Sequence, residues 1–246
     1  MSRTTFACLA TLAVAGSALT HAALAAPAGT RPAEQPRFGP SNNNPTQLRV
    51  RGVLQDCDPG NSTIITENID HTTINSTGSL NCSTNDGTYS HAYGRYHDLS
   101  AYSNGEELEL VCVHWGLESA SHTIAVDVNL YRDVDGTAVP DSSPGDLVLL
   151  ATSSAVLTPG TTLYHTSNFG TEWGGSFGPD DLIFVELVVA DGSIPNEFGE
   201  PADHYVGTNS LGQLSESWIR TTEGFCGLGS WTTMTNIGFS HLHFVE

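Results

Sequence analysis

The chain of 246 residues carries 27 acidic side chains against 8 arginines and no lysine, a formal net charge of −19 at pH 7. A field of that sign repels phosphate backbones and anionic bilayers, which argues against nucleic acid as a partner. Past the N-terminus no segment approaches the roughly 18 to 20 uninterrupted apolar residues of a spanning helix, so no membrane span is expected.

The first element is a secretory signal: Arg3, a mostly small and apolar run from Phe6 to Leu19, then Ala23-Leu24-Ala25 before a proline. Cleavage is expected after Ala25 or Ala26; losing Arg3 takes the charge from −19 to −20 and places the chain outside the cytoplasm, secreted or periplasmic. Residues 26–47 are rich in Pro, Gly, Asn and Ser with almost nothing to bury, and read as a flexible tether. From residue 48 to 246, short β-branched and apolar runs alternate with turn-forming clusters, and no stretch keeps helical periodicity over three turns. The expected fold is all-β, one antiparallel β-sandwich of jelly-roll type.

Within that domain strands are predicted over 90–96, 107–115, 123–131, 147–156, 161–169, 182–190, 205–208, 217–220 and 241–245. Two are distinctive. In 123–131, Ile124, Val126, Val128 and Leu130 alternate with more polar residues, the period of a strand with one buried face. Residues 182–190 are apolar on both faces except for Glu186, as in a central strand covered on both sides, so Glu186 requires a partner. Cys8 goes with the signal and leaves Cys57, Cys82, Cys112 and Cys226, an even number in an oxidising compartment, hence two disulfides with three pairings open. No CxxC pair is present to hold zinc.

Five groups of residues carry possible chemistry. Tyr89, His91, Tyr93, Arg95 and His97 recur at every second position and share one face of a strand. Such a row is suited to clamping the carboxylate of an acidic sugar while Tyr or His moves a proton, or to a satisfied polar face with Arg95 paired to Asp98, Glu118 or Glu186. Trp173 and Trp231 fall in loops, where an indole forms a platform for the apolar face of a sugar ring. Asp133 and Asp135, with Asp141 and Asp146 nearby, resemble half of a calcium loop without its closing glutamate; no cofactor is expected apart from this candidate calcium. His241 and His243 share a strand face, with His204 a candidate neighbour, a spacing by which two imidazoles can share a zinc or copper ion, but no further ligand is visible in the sequence. Residues 174–178 spell G-x-S-x-G around Ser176, the serine-hydrolase elbow, but a strand rather than a helix is expected to follow.

Residues 89–245 also resemble a bacterial secreted β-sandwich domain that occurs alone or beside extracellular enzymes such as proteases. The resemblance is carried by Tyr-Gly-Arg-Tyr-His-Asp-Leu at 93–99, Trp-Gly-Leu-Glu at 115–118, Val-Asn-Leu-Tyr at 128–131 and Val-Glu-Leu-Val-Val-Ala-Asp-Gly at 185–192. It continues through Val-Gly-Thr-Asn-Ser-Leu-Gly-Gln at 206–213, Phe-Cys-Gly at 225–227 and Ile-Gly-Phe-Ser-His-Leu-His at 237–243. It implies an accessory or binding role without catalytic residues and a Cys82–Cys226 bond; the leading expectation is a non-enzymatic module that recognises a polysaccharide or a surface component. Cys57–Cys112 is then the remaining pair. The competing expectations are a jelly-roll enzyme acting on acidic polysaccharide through the row from Tyr89 to His97, and a calcium-stabilised structural protein.

Overall fold

The computed structural model describes residues 37–40, 65–70, 73–74, 79–84, 87–140, 146–169, 176–193, 201–209, 211–221, 225–237 and 242–243. In chain order the strands are β1 (Arg37–Pro40), β2 (Leu80–Thr84), β3 (Gly87–Thr88), β4 (His91–Asp98), β5 (Leu108–Glu109), β6 (Cys112–Ala120), β7 (Ile124–Asp133) and β8 (Leu147–Leu157). There follow β9 (Gly160–Asn168), β10 (Ser176–Phe177), β11 (Leu182–Val189), β12 (His204–Val206), β13 (Thr208–Asn209), β14 (Ser217–Thr221), β15 (Thr232–Thr233) and β16 (Leu242–His243). Only short 3-10 turns interrupt them among the described residues, and no helix there is long and apolar enough to cross a membrane.

All pairings between these strands are antiparallel. A six-stranded sheet, in the order β15-β14-β4-β11-β7-β8, shares one hydrophobic core with a three-stranded sheet, β12-β6-β9. The core draws Val126, Val128, Val185, Leu187 and Ile219 from the first sheet and Val113, Trp115, Leu117 and Val206 from the second. This is the expected sandwich. β7 alternates as its sequence requires, with Ile124, Val126, Val128 and Leu130 buried and Ala125 and Asp127 exposed. β11 is buried on both faces because β4 and β7 flank it and side chains cover it from either side.

Two of the differences from the sequence reading bear on how the sheets are joined. Arg37–Pro40, inside the segment read as a tether, pairs with β2, Phe38 opposite Cys82, and the unit that includes it runs Glu34–Glu246. Backbone hydrogen bonding to a neighbouring strand needs no apolar composition, so the residue pattern does not announce it. The strand read as 107–115 begins at Cys112 and continues to Ala120, through Gly116. Gly116 is a point of close backbone approach: the Gly207 N–H donates to its carbonyl at 2.6 Å, and a Cβ on Gly207 would meet the Gly116 backbone at 2.8 Å.

A second glycine, Gly94, shapes the outer face of the six-stranded sheet. It lies opposite Glu186 on β11 and Trp218 on β14, and the Phe184 ring fills the space where a side chain would stand, 2.0 Å from an ideal Cβ. Gly94→Ala is therefore expected to displace Phe184 and destabilise the domain by about 1 to 3 kcal/mol, measured by urea unfolding. An unchanged midpoint would show that the ring moves aside freely.

Cys82 and Cys226 form a disulfide with Cα atoms 6.0 Å apart. Cys112 is also disulfide-bonded, whereas Cys57 lies outside the described residues.

Candidate ligand-binding face

Strand register sorts the side chains of the six-stranded sheet. Residues directly opposite one another point to the same side, so Arg95, Val185, Leu130 and Ser217 form one inward row, and Tyr93, Leu187, Val128 and Ile219 another. The outward rows are Tyr96–Phe184–Tyr131 and Trp218–Gly94–Glu186–Asn129–Thr152, with Arg220, Ala92, Val188, Asp127 and Ser154 beyond. Trp231, immediately before β15, comes to this outward side next to Phe184 and Arg220.

Glu186 is at the centre of that face and only 1% exposed. Its Oε1 accepts from Nε of Arg220 at 3.1 Å and from Nη2 of the same guanidinium. Its Oε2 accepts from the Tyr131 hydroxyl at 2.7 Å and from Nδ2 of Asn129 at 3.0 Å. A charge removed from water in this way is retained only when such partners compensate it. Burial, and then the Glu186 charge beside it, holds the Tyr131 hydroxyl well above the usual phenol range. The guanidinium of Arg220 also lies over the Trp231 ring, 5.0 Å from its centroid, and the ring meets Phe184 edge to face at 5.2 Å. Tyr131, Leu147, Phe184, Glu186, Arg220 and Trp231 line a small open pocket. From it a polar ladder continues to the sheet edge: Thr152 Oγ1 donates to Asn129 Oδ1 at 2.8 Å, and Ser154 Oγ to Asp127 Oδ1 at 2.6 Å.

No family model matches the chain, and no curated protein matches it significantly. Among solved structures it is similar to a chain described as the cysteine protease and lectin-like domains of Cwp84, a surface layer associated protein of Clostridium difficile, at 12% identity and a TM-score of 0.37. The match covers 68% of this chain and 37% of that one.

The structure separates the residues singled out in the sequence. His91, Tyr93, Arg95 and His97 do share a face, but it is the inward one: none is more than 2% exposed, and Tyr89 precedes the strand half-buried. Of the two readings of this row, the buried positions of His91 to His97 fit the polar face that finds its partners inside the fold. Alternation shows that residues share a side, not whether that side meets solvent. The expected pairing of Arg95 with Asp98, Glu118 or Glu186 gives way to other partners. Arg95 donates to Asn68 Oδ1 at 2.8 Å, to Gln213 Oε1 at 2.7 Å and to Ser217 Oγ at 2.5 Å, with the charge of Glu67 close by. Asp98 instead accepts from the Ser100 N–H, and Glu118 from the Ser79 N–H at 3.0 Å. Burial lowers the His91 pKa to about 4, and burial together with the Arg95 charge lowers that of His97 to about 3, so both rings are neutral at pH 7.

Trp231 takes its place at the pocket; Trp173 lies outside the described residues. Asp133 Oδ1 accepts from the N–H groups of Asp135 and Gly136, and Asp135 Oδ1 from that of Thr137, so the two carboxylates cap their own turn. Asp141 and His241 are outside the described residues, His243 pairs with Thr208 across β13 and β16, and His204 is buried. Among the described residues no three His, Cys, Asp or Glu side chains are arranged to hold a metal ion. Ser176 is on the two-residue β10, its hydroxyl donating to Glu107 at 3.0 Å, followed by a turn and β11 rather than by a helix.

Arg220, Asn129, Phe184 and Trp218 were not singled out. Their signal was available in part: in a strand covered on both sides, the neighbours opposite its one charged residue must supply that residue's partners.

Proposed function

We propose that the protein is an exported, non-catalytic β-sandwich module that binds carbohydrate through the outward face of its six-stranded sheet. The observation that carries this reading is the open pocket where the partly exposed Trp231 and Tyr131 stand beside Arg220 over the buried Phe184 and Glu186, with hydroxyl and amide groups continuing from it across β7 and β8. Aromatic surface beside fixed polar groups suits sugar rings, which offer an apolar face and a hydroxyl rim.

Three observations favour binding over turnover. Both oxygens of Glu186 are engaged by Arg220, Tyr131 and Asn129, which leaves a structural carboxylate rather than a mobile acid or base. The row from His91 to His97 is sealed within the sandwich. Ser176 meets a glutamate where an activated nucleophile would meet a base such as histidine. The N-terminal signal and the Cys82–Cys226 bond support export into an oxidising compartment.

The test is retention of the purified mature chain on a panel of polysaccharides, with Trp231→Ala as the variant and reducing-end release assayed in parallel. Retention that falls at least about 10-fold in the variant, with no sugar released, is the expected result. Equal retention by the variant, or depolymerisation by the wild type, would refute the reading.

A further inference from the structure

The geometry points to an uncharged, extended polysaccharide chain as the ligand, lying across the strands from Trp231 towards Thr152 and Ser154 on β8. This deepens the carbohydrate-binding reading and rests on it.

Charge is the first argument. The pocket's one cation, Arg220, is bound to Glu186, and beyond that pair the ladder adds the exposed carboxylate of Asp127. Among the described residues the face is therefore net negative, within a chain of −19, and presents no unopposed guanidinium that would grip a uronate or sulfate. Arg95 is buried, and Arg132 pairs with Asp181 at 3.2 Å, so neither supplies that grip. A cationic amino sugar is disfavoured on different grounds. The indole face that would attract an ammonium group already has the Arg220 guanidinium 5.0 Å from its centroid, and the pocket carboxylate already has its counter-charge.

Extent is the second argument. The outward polar groups do not close around a single ring. Asn129, Thr152, Asp127 and Ser154 follow one another across β7 and β8, while Arg220 is on β14. From β14 to β8 the sheet order counts four strand spacings, roughly 19 Å at the usual inter-strand distance. That length accommodates several linked sugar units rather than one. The accessible part of this route is the rim: the half-buried Trp231, Arg220 and Asn129 and the exposed Thr152, Asp127 and Ser154, while Phe184 and Glu186 lie beneath it.

Native affinity electrophoresis of the mature chain in gels containing a neutral β-glucan or galactomannan, polygalacturonate, or chitosan, at low and high salt, tests the charge class. Titration calorimetry with neutral oligosaccharides of increasing length tests the extent. The neutral gels are expected to retard the protein equally at both salt concentrations. Trp231→Ala should weaken short and long oligosaccharides alike, and Thr152→Val combined with Ser154→Ala should weaken only the long ones, by about 3- to 10-fold. Preferential retention by polygalacturonate or chitosan that collapses in high salt would overturn the uncharged ligand while leaving the module reading in place. An equal effect of the β8 variants on short and long sugars would overturn the extended track. Retention by no gel would remove the carbohydrate reading itself.

Discussion

Acidification from pH 7 to about pH 4 is expected to unfold this domain through three histidines that the fold holds neutral. His91, His97 and His204 are 0%, 2% and 0% exposed, and their pKa values are lowered from 6.5 to about 4, about 3 and about 3. Burial is the main cause in each; Arg95 adds to it at His97, and the neighbouring His91 and His165 add to it at His204. A lowered folded pKa means that the unfolded chain binds more protons between that value and 6.5. The stability these rings contribute is thus fully present above pH 6.5 and lost as pH falls below it. Each ring costs about 1.4 kcal/mol per pH unit in that window, so the three together cost about 4 kcal/mol per unit. Against a usual margin of about 5 to 15 kcal/mol, that is enough to unfold the domain well above pH 3. Glu67 and Asp203, both raised by burial, act in the opposite direction and soften the slope near their own titrations. Urea unfolding at a series of pH values measures the effect. His97 is the ring to replace, because neither of its nitrogens has a hydrogen-bond partner among the described residues. In His97→Leu the dependence of stability on pH between 6 and 4 should lessen by about a third. An unchanged slope would mean that the ring titrates normally in the fold.

Two of these histidines, His91 and His97, belong to the row of residues whose direction the sequence left undecided. A period-2 row of Tyr, His and Arg is equally suited to a solvent face and to an interior that can supply hydrogen bonds. What decides is the arrival of Asn68 and Gln213, 27 and 118 positions from Arg95, and of Ser217, 122 positions away. No local pattern encodes those meetings. By contrast β7 and β11 were legible, because strict alternation and a doubly apolar run each have one low-energy placement in a sandwich. Glu186 was legible as a problem, an acid in an otherwise buried strand, but its solution came from β14, 34 positions further on. Trp231 was legible as an aromatic on a loop, while its contact with Arg220 was not. Gly94 reads in sequence as a weak point in a strand, and only the Phe184 ring above it explains the residue.

Loss of the Cys82–Cys226 bond is expected to cost the domain about 4 to 5 kcal/mol. The two cysteines are 144 residues apart, and the loop-closure entropy that such a cross-link removes from the unfolded chain amounts to about 5 kcal/mol at 25 °C. The location of Cys82 makes the native side of the balance sensitive too. β2 belongs to a three-stranded sheet with the short β1 and β3, outside the six-stranded sheet, and Cys82 is fully buried within it. The Leu80 carbonyl of β2 accepts the hydrogen bond of the buried Tyr93 hydroxyl, which also meets His91 Nε2 at 2.7 Å, so a loosened β2 would disturb a buried polar network of the core. At its other end Cys226 has a φ of +53°, a left-handed conformation uncommon for a non-glycine residue. Cys82→Ala combined with Cys226→Ala should therefore lower the thermal midpoint by about 10 to 20 °C in a domain of this size. Reductant should shift the wild type by more than it shifts the double variant, since only the wild type has this bond to lose. If the variant melts within a few degrees of the wild type, β2 is held by its packing and hydrogen bonds rather than by the cross-link.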